Sequence, residues 1–548
     1  MQILIISAMG IAVVLIGILW VKLHPFFALI MGAMLILLLT PKEIFLQTEL
    51  QSKAVKIQSI QLSESMVELE RAVSPGRYRL LSQGTRLSEA VVFDVETTDE
   101  KSTSIKLTSS DFALFGVGDR VISDEAVRIA ERSRFGSVAQ RLSDGLAGTF
   151  QTIGLPIAMA AIIGTCLLES GAAKRLVISL TRCFGPKRIA PALTVSGFLL
   201  GVPVYFDTVF YLLLPLAKAL GKQDTRNYVM AVMAIIVGAT MAHSLVPPTP
   251  GPLLVATELG VSIGAMILGG TIVGGTAAMA GFAYGAWCSG WVQLENSESV
   301  SVVNLDSSVS DSASTNEADS FSKIPFWIAA LPLAVPITCL GGVEIWKATI
   351  QEKETGPWVD LLSDPGFVLF ATAIIAMCIL RRVVSAKATV PMITRSVSDA
   401  GTILMLTCAG GAFGAALKQL QIATAVVEQF PSAMTPYGLL FSAFALTTVI
   451  RAAQGSATVA MITSVGIVAP LVHSQTLPFH PVYVALAIGC GSKPFPWMND
   501  SGFWQVSTMS GMTTRQTLQT FSAALTIMGC VGFAITLLGA WLLPFAGK

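Results

Sequence analysis

The chain has 548 residues, 53% hydrophobic and only 13% charged, with a formal net charge of +1. A water-soluble domain carries about 25% charged residues, so too little polar surface remains to coat a soluble fold, and an integral membrane protein is expected. The balanced charge and the lack of a basic stripe argue against a nucleic-acid partner.

In chain order, residues 2–21 and 25–40 read as two transmembrane helices joined by a short polar turn. The first lacks a basic leading region and a small-residue cleavage site, so it reads as a retained helix rather than a signal peptide. From Lys42 to Arg141 the solvent changes. This stretch is charged and has no spanning run. It contains strand-like pieces, "AVVFDVETTD" and "STSIKL", and an amphipathic helix, "VISDEAVRIAERSRF". It predicts a small α/β insert of about 100 residues, with no catalytic motif and no partner legible in it. Membrane-like sequence resumes over 142–290. Residues 291–322, rich in Ser, Asp and Glu, cannot bury a core and read as a flexible linker. A second membrane section covers 323–548, and residues 1–41 form the first hairpin.

The two membrane sections look related. "SDGLAGT" (143–149) parallels "SDAGT" (398–402). "GVPVYFDTVFYLLLPL" (201–216) parallels "GSATVAMITSVGIVAPL" (455–471), and "PGPLLVATELG" (250–260) parallels "SGFWQVSTMSG" (501–511). The order is kept at a near-constant offset, which is the signature of a duplication. Five spanning segments per half would invert the second half relative to the first, and Gly-rich stretches at 143–172 and 398–423 read as re-entrant hairpins. The basic "KRLVISLTRCFGPKR" (174–188) is expected on the cytoplasmic side, although inversion then places the basic "RRVVSAK" (381–387) outside. The expected fold class is therefore an all-α polytopic membrane protein with two inverted repeats, broken helices and re-entrant hairpins, plus the α/β insert.

Polar groups inside apolar runs are costly and are functional candidates by default. Four clusters qualify. In "GVPVYFDTVF", Gly201 and Pro203 break a helix near Asp207, a carboxylate able to carry a proton or to cap the next helix. In "HSLVPPTPGP" (243–252), His243, Ser244 and Thr249 sit on a segment that Pro247, Pro248, Pro250 and Gly251 keep from regular helix. In "RAAQGSATVA" (451–460), Arg451 offers a fixed cation for a carboxylate. Gln454, Ser456 and Thr458 surround the break at Gly455. In "KPFPWMNDSGFW" (493–504), Lys493 adds a cation, and Asn499, Asp500 and Ser501 precede Gly502. Glu169 in "LLESG" is a weaker candidate that reads as a surface residue. The bland alternatives are a snorkelling Arg451, a His243 satisfied by backbone, and carboxylates serving as caps.

Other chemistries fail. There is no phosphate-binding GKS/T loop and no H-E-x-x-H. The four histidines and eight cysteines (166, 183, 288, 339, 378, 408, 490, 530) show no metal-ligand spacing and no C-x-x-C pair, so no metal and no enzyme activity are expected.

Taken together, "LLESGAAKRL", "GVPVYFDTVFYLLLPL", "HSLVPPTPGPLLVA", "AGTILMLTCAGGAFG", "RAAQGSATVAMITSVGIVAP" and "NDSGFW" resemble the hallmark stretches of the gluconate permease (GntP) family of bacterial proton symporters. The resemblance covers nearly all of the chain outside the insert and the linker. It implies a carrier of the bacterial cytoplasmic membrane, with a scaffold and a moving transport domain of elevator type. Its substrate would be gluconate, a related small hydroxy-carboxylate or D-serine. The proton gradient would drive uptake without a cofactor, sodium stays open as a coupling ion, and a homo-oligomer is compatible. Arg451 and Lys493 would hold the carboxylate, and Ser456, Thr458, Asn499 and Ser501 would bind hydroxyls. Asp207 or Asp500 would take the coupling proton. Histidine, frequent in the family at the position of Thr249 and beside Trp497, is absent here, and the insert is not typical. The rivals are a non-transporting sensor that signals through the insert and a channel.

Overall fold

In the computed structural model, the described residues are 2–61, 66–69, 76–82, 86–95, 104–106, 119–134, 136–185, 188–221, 225–292, 324–349, 356–420 and 435–545. All but a few residues of the expected linker, 291–322, lie outside this set. The chain folds as two compact units. One comprises Met1–Val13, Met31–Gly145 and Ala415–Gln429; the other comprises Val14–Ile30, Leu146–Gly414 and Phe430–Lys548.

Helices α1 (Gln2–Leu19) and α2 (Pro25–Leu39) open the chain, and at Pro41 it bends by 104° into α3 (Lys42–Lys53). Six strands follow within the insert: β1 (Val55–Gln61), β2 (Met66–Leu69), β3 (Gly76–Ser82), β4 (Arg86–Val95), β5 (Ser104–Lys106) and β6 (Arg120–Ser123). They form one sheet in the order β4-β3-β6-β1-β2-β5, and every neighbouring pair is antiparallel. Helix α4 (Asp124–Arg134) continues directly from β6. Its start is favoured by Ser123, whose hydroxyl accepts the Ala126 N–H at 3.2 Å, and by Asp124 and Glu125 at the positive end of the helix dipole. Leu50, Ile122, Val127 and Ala130 make a small core that joins α3, β6 and α4. Arg79 of β3 bonds Asp124 at 2.5 Å across it. The expected strands and amphipathic helix thus appear as β4, β5 and α4. The piece of the helical expectation at Val121–Ser123 is strand instead.

The other unit is helical. Its first half contains α5 (Val138–Glu169) from Leu146 onward, α6 (Ala172–Phe184), α7 (Ile189–Gly201), α8 (Phe206–Gly221), α9 (Thr225–Leu245), α10 (Pro250–Glu258) and α11 (Ile263–Cys288). After the linker come α12 (Phe326–Pro336), a π-helical turn at Ile337–Gly341, α13 (Gly342–Thr349), α14 (Pro357–Ser363) and α15 (Pro365–Arg381). The second half continues with α16 (Ala386–Gln419), α17 (Pro436–Gln454), α18 (Ala457–His473), α19 (Val482–Gly491) and α20 (Ser501–Ser510). It ends with α21 (Thr514–Thr517), a second π turn at Leu518–Ser522 and α22 (Ala523–Leu542). Among the described residues, seven helices are long and apolar enough to cross a membrane, or nine if each sharply bent pair counts as one span. The stretches 143–172 and 398–423, expected as hairpins, lie largely within the continuous helices α5 and α16. Pro156 and Pro391 are accommodated inside them.

The two halves repeat one pattern. Helix α7 breaks before α8 as α17 breaks before α18, and α9 breaks before α10 as α19 breaks before α20. Helix α9 packs on α7 and α11; α19 packs on α17 and α22. The short helices then exchange, α10 packing on α18 and α8 on α20. Every residue of α19 is buried, as is nearly all of α9. A helix apolar on all sides belongs in the middle of such a bundle. The two central helices therefore hold all four interruptions inside the helical unit.

Candidate functional site

The break between α17 and α18 turns on Gly455, whose φ of +79° is left-handed backbone. Its N–H still reaches the Arg451 carbonyl at 2.9 Å, which ends α17, while Ser456 caps α18 by accepting from Val459 N–H at 3.4 Å. The last carbonyls of a helix have no partner within it. Here the other break of the same half supplies partners: Trp497 Nε1 donates to the Ala452 carbonyl at 2.6 Å, and Asn499 Nδ2 donates to Ala452 and Ala453 at 2.9 and 3.1 Å. Between these ties lies a buried ion pair. Arg451 donates to one oxygen of Asp500 and to the Gly455 carbonyl. The other Asp500 oxygen accepts the Gly502 N–H at 2.7 Å and so caps α20. Arg451 and Asn499, expected as ligands, Asp500, expected as a proton carrier, and Gly455 and Gly502, expected as helix breaks, form one interlocked cluster.

The first half is built differently. The ring of Tyr205, in the break after α7, meets His243 edge-on at 5.6 Å between centroids. The Thr249 hydroxyl donates to the carbonyls of His243 and Val246 at 2.8 and 3.0 Å, folding the turn that contains the cis Pro247–Pro248 bond. Pro250 then occupies the first turn of α10, where a missing N–H costs nothing. Gly201 is the last residue of α7, at the expected break. A methyl there would stand 2.7 Å from the Ala239 carbonyl, so it permits close approach to α9. Pro203 lies in the turn, its carbonyl against Gly164 of α5. Gly251 sits inside α10, facing Met461 and Thr458 of α18.

The polar side chains divide into engaged and unengaged sets. Lys493 is buried, and its Nζ donates to the Thr240 carbonyl of α9 at 2.6 Å, a tie between the halves. Asp207, in the first turn of α8, is exposed, and its backbone carbonyl accepts from Gln505 of α20 at 2.7 Å. Ser501 is exposed at the start of α20, and Thr458 is half-buried. Among the described residues, the buried side-chain atoms of the four clusters that lack a hydrogen-bond partner are His243 Nδ1, Ser244 Oγ, Arg451 Nε and both amide atoms of Gln454; Thr463 and Ser464 of α18 add two more. An unpaired polar atom that water does not reach costs about 1–3 kcal/mol, so these atoms are where a polar ligand would gain most. The exposed Asn499, Ser501 and Asp207 belong to a surface that needs water rather than hydrocarbon against it.

Trp497, Gln505, Tyr205 and the Thr240 carbonyl take part without having been expected to. Only Trp497 carried a sequence signal, as an aromatic beside the Asn-Asp pair. Glu169 is exposed at the end of α5, as its reading as a surface residue anticipated.

Comparison with known proteins agrees with this architecture. The sequence model of the GntP family permease matches residues 121–542. The chain is 30% identical over 398 residues to an uncharacterized permease of Haemophilus influenzae, covering 71% of this chain and 80% of that one. It is 28% identical over 408 residues to a gluconate permease of Pseudomonas aeruginosa (73% and 87% covered). It is 26% identical over 420 residues to a low-affinity gluconate transporter of Escherichia coli (74% and 89%). Among solved structures, it is similar to the YdaH transporter of Alcanivorax borkumensis, with a TM-score of 0.52 at 14% identity over 75% of this chain and 90% of that one. It is also similar to MtrF of Neisseria gonorrhoeae, with a TM-score of 0.50 at 16% identity over 74% and 84%.

Proposed function

The chain belongs to the GntP family of permeases, a multi-pass transport protein of the bacterial cytoplasmic membrane and not an enzyme, and from that premise we propose that it takes up gluconate or a related small hydroxy-carboxylate together with protons. The observation that carries this reading is the meeting of four helix breaks in one region that offers buried, unpaired polar atoms, among them those of His243, Ser244 and Gln454. An imidazole nitrogen, a hydroxyl and a primary amide suit a polyhydroxylated chain, because each exchanges hydrogen bonds with hydroxyls in either direction. Arg451 sets the positive rim of the site while holding Asp500. Ser456, Thr458 and Ser501 lie at the mouths of the short helices, where further hydroxyls would be received. Helix α10 of the first half packs mainly on α18 of the second, and α8, held mainly by α9, also touches α20. That arrangement favours a carrier with two alternating states over an open pore. An elevator-like movement of the broken helices against the remaining helices fits it.

The test is uptake by the full-length protein in liposomes. With an inward proton gradient, labelled gluconate accumulates, and an uncoupler abolishes the accumulation. Preloading with unlabelled gluconate then gives counterflow, which a carrier supports and a sensor or channel does not. Uptake of gluconate, related sugar acids and D-serine no faster than in empty liposomes would rule the assignment out.

A further inference from the structure

We propose that Lys493 carries the coupling proton, binding it when the substrate carboxylate arrives beside the amine and releasing it when the carboxylate leaves. This rests on the carboxylate-uptake reading above and assigns its coupling step to a residue outside the carboxylate pair.

Lys493 lies in the irregular stretch between α19 and α20 and is 3% exposed. Its Nζ has a neutral partner, the Thr240 carbonyl, and among the described residues no carboxylate lies within ion-pair distance of it. The charged and titratable groups that face it are Arg451 from α17, Asp500 of its own stretch, Cys490 from α19 and His243 from α9. Asp500 is the one anion among them, and both its oxygens are already taken, one by Arg451 and one by the Gly502 N–H. An ammonium so placed lacks a counter-charge of its own, and burying an uncompensated ion costs several kcal/mol. An arriving carboxylate supplies that counter-charge. The proton on Lys493 and the negative charge on the substrate then stabilise each other, and each is bound poorly alone.

That mutual requirement is what symport needs. One proton enters with one carboxylate from the outer solution, the pair crosses as a neutral unit, and both leave to the cytoplasm. Asp207 is a poorer carrier because it is exposed. An exposed group is less enclosed with the substrate than a buried one, so its protonation is less tied to occupancy. The Thr240 contact also places the amine between the halves, where a change in their arrangement would change its surroundings.

Calorimetric titration of gluconate into the purified full-length protein, in two buffers of different ionisation enthalpy, reads the protons taken up per substrate bound. The wild type is expected to take up about one proton near neutral pH, so that affinity falls about tenfold per unit as pH rises through that range. In Lys493→Arg, whose charge is fixed, proton uptake on binding falls to zero. Counterflow of labelled gluconate persists in that variant, while accumulation driven by a proton gradient is lost. Lys493→Met also takes up no proton and binds more weakly. Proton uptake retained in Lys493→Arg, gradient-driven accumulation by that variant, or no uptake in the wild type would each overturn the proposal. If neither lysine variant binds gluconate, Asp207→Asn decides. Proton uptake kept in that variant supports Lys493, and uptake lost there overturns it. A wild type that binds and moves none of the acids tested, D-serine included, fells the transport reading itself, and this proposal with it.

Discussion

At the scale of single residues, the buried pair of Arg451 and Asp500 makes the sharpest energetic statement. Removing one partner of a buried ion pair leaves the other charge uncompensated, at a cost of about 3–5 kcal/mol. Arg451→Met and Asp500→Asn should each lower the thermal unfolding midpoint markedly. The double variant should recover much of the loss, because it leaves no orphan charge and asparagine still caps α20. A double variant no more stable than the worse single one would show that the pair is not coupled. Gln454 predicts the opposite pattern. Its amide atoms are buried and unpaired, so Gln454→Leu should leave the unfolding midpoint unchanged or higher. Gluconate affinity should fall roughly five- to tenfold, as expected for losing one or two neutral hydrogen bonds. Equal affinity in that variant would remove Gln454 from the site. The sequence made both residues visible as polar groups in apolar runs. It could not tell them apart, because the partner of Arg451 lies 49 residues away and Gln454 has none.

At the scale of elements, a break must be capped as well as made. Gly455 and Gly511 both hold left-handed backbone, at φ +79° and +74°. A methyl on Gly511 meets nothing within 4 Å, whereas one on Gly455 runs into the Asn499 carbonyl. Gly511→Ala should therefore cost only the conformational penalty of about 1–2 kcal/mol. Gly455→Ala should cost clearly more and also impair transport, since it pushes the two breaks of the second half apart. Equal midpoints for the two variants would contradict the close contact. Which helices break was legible from proline, glycine and stranded polar residues. What ties the breaks was not, because Trp497 and Asn499 reach back to carbonyls 45 to 47 residues earlier. Backbone acceptors leave no mark in a sequence. The same limit explains Gly201. Its glycine reads as a helix break, and α7 does end there, but its close packing against Ala239 of α9 is not visible in the sequence. It explains 143–172 and 398–423 as well, where glycine suggested a turn and the chain runs as helix through most of each stretch.

At the scale of the whole molecule, the duplication was legible because short repeats fell in order at a constant offset. The exchange of short helices was not, since it depends on which surfaces are complementary. That exchange leaves the halves similar in outline but different in charge. The second half contributes Arg451, Lys493 and Asp500 to the breaks, and the first contributes Asp207, the imidazole of His243 and the hydroxyl of Ser244. If one carboxylate crosses with one proton, no net charge moves, and the force on the substrate is the proton concentration ratio alone. Liposomes carrying the protein should then accumulate gluconate when the outside is acidified at zero membrane potential. They should not do so when a potassium diffusion potential, negative inside, is imposed at equal pH. Potential-driven accumulation at equal pH would mean that more than one cation enters per carboxylate. A titrating Asp207 or a sodium ion would then have to join Lys493, and the charge count of the second half would no longer suffice to explain coupling.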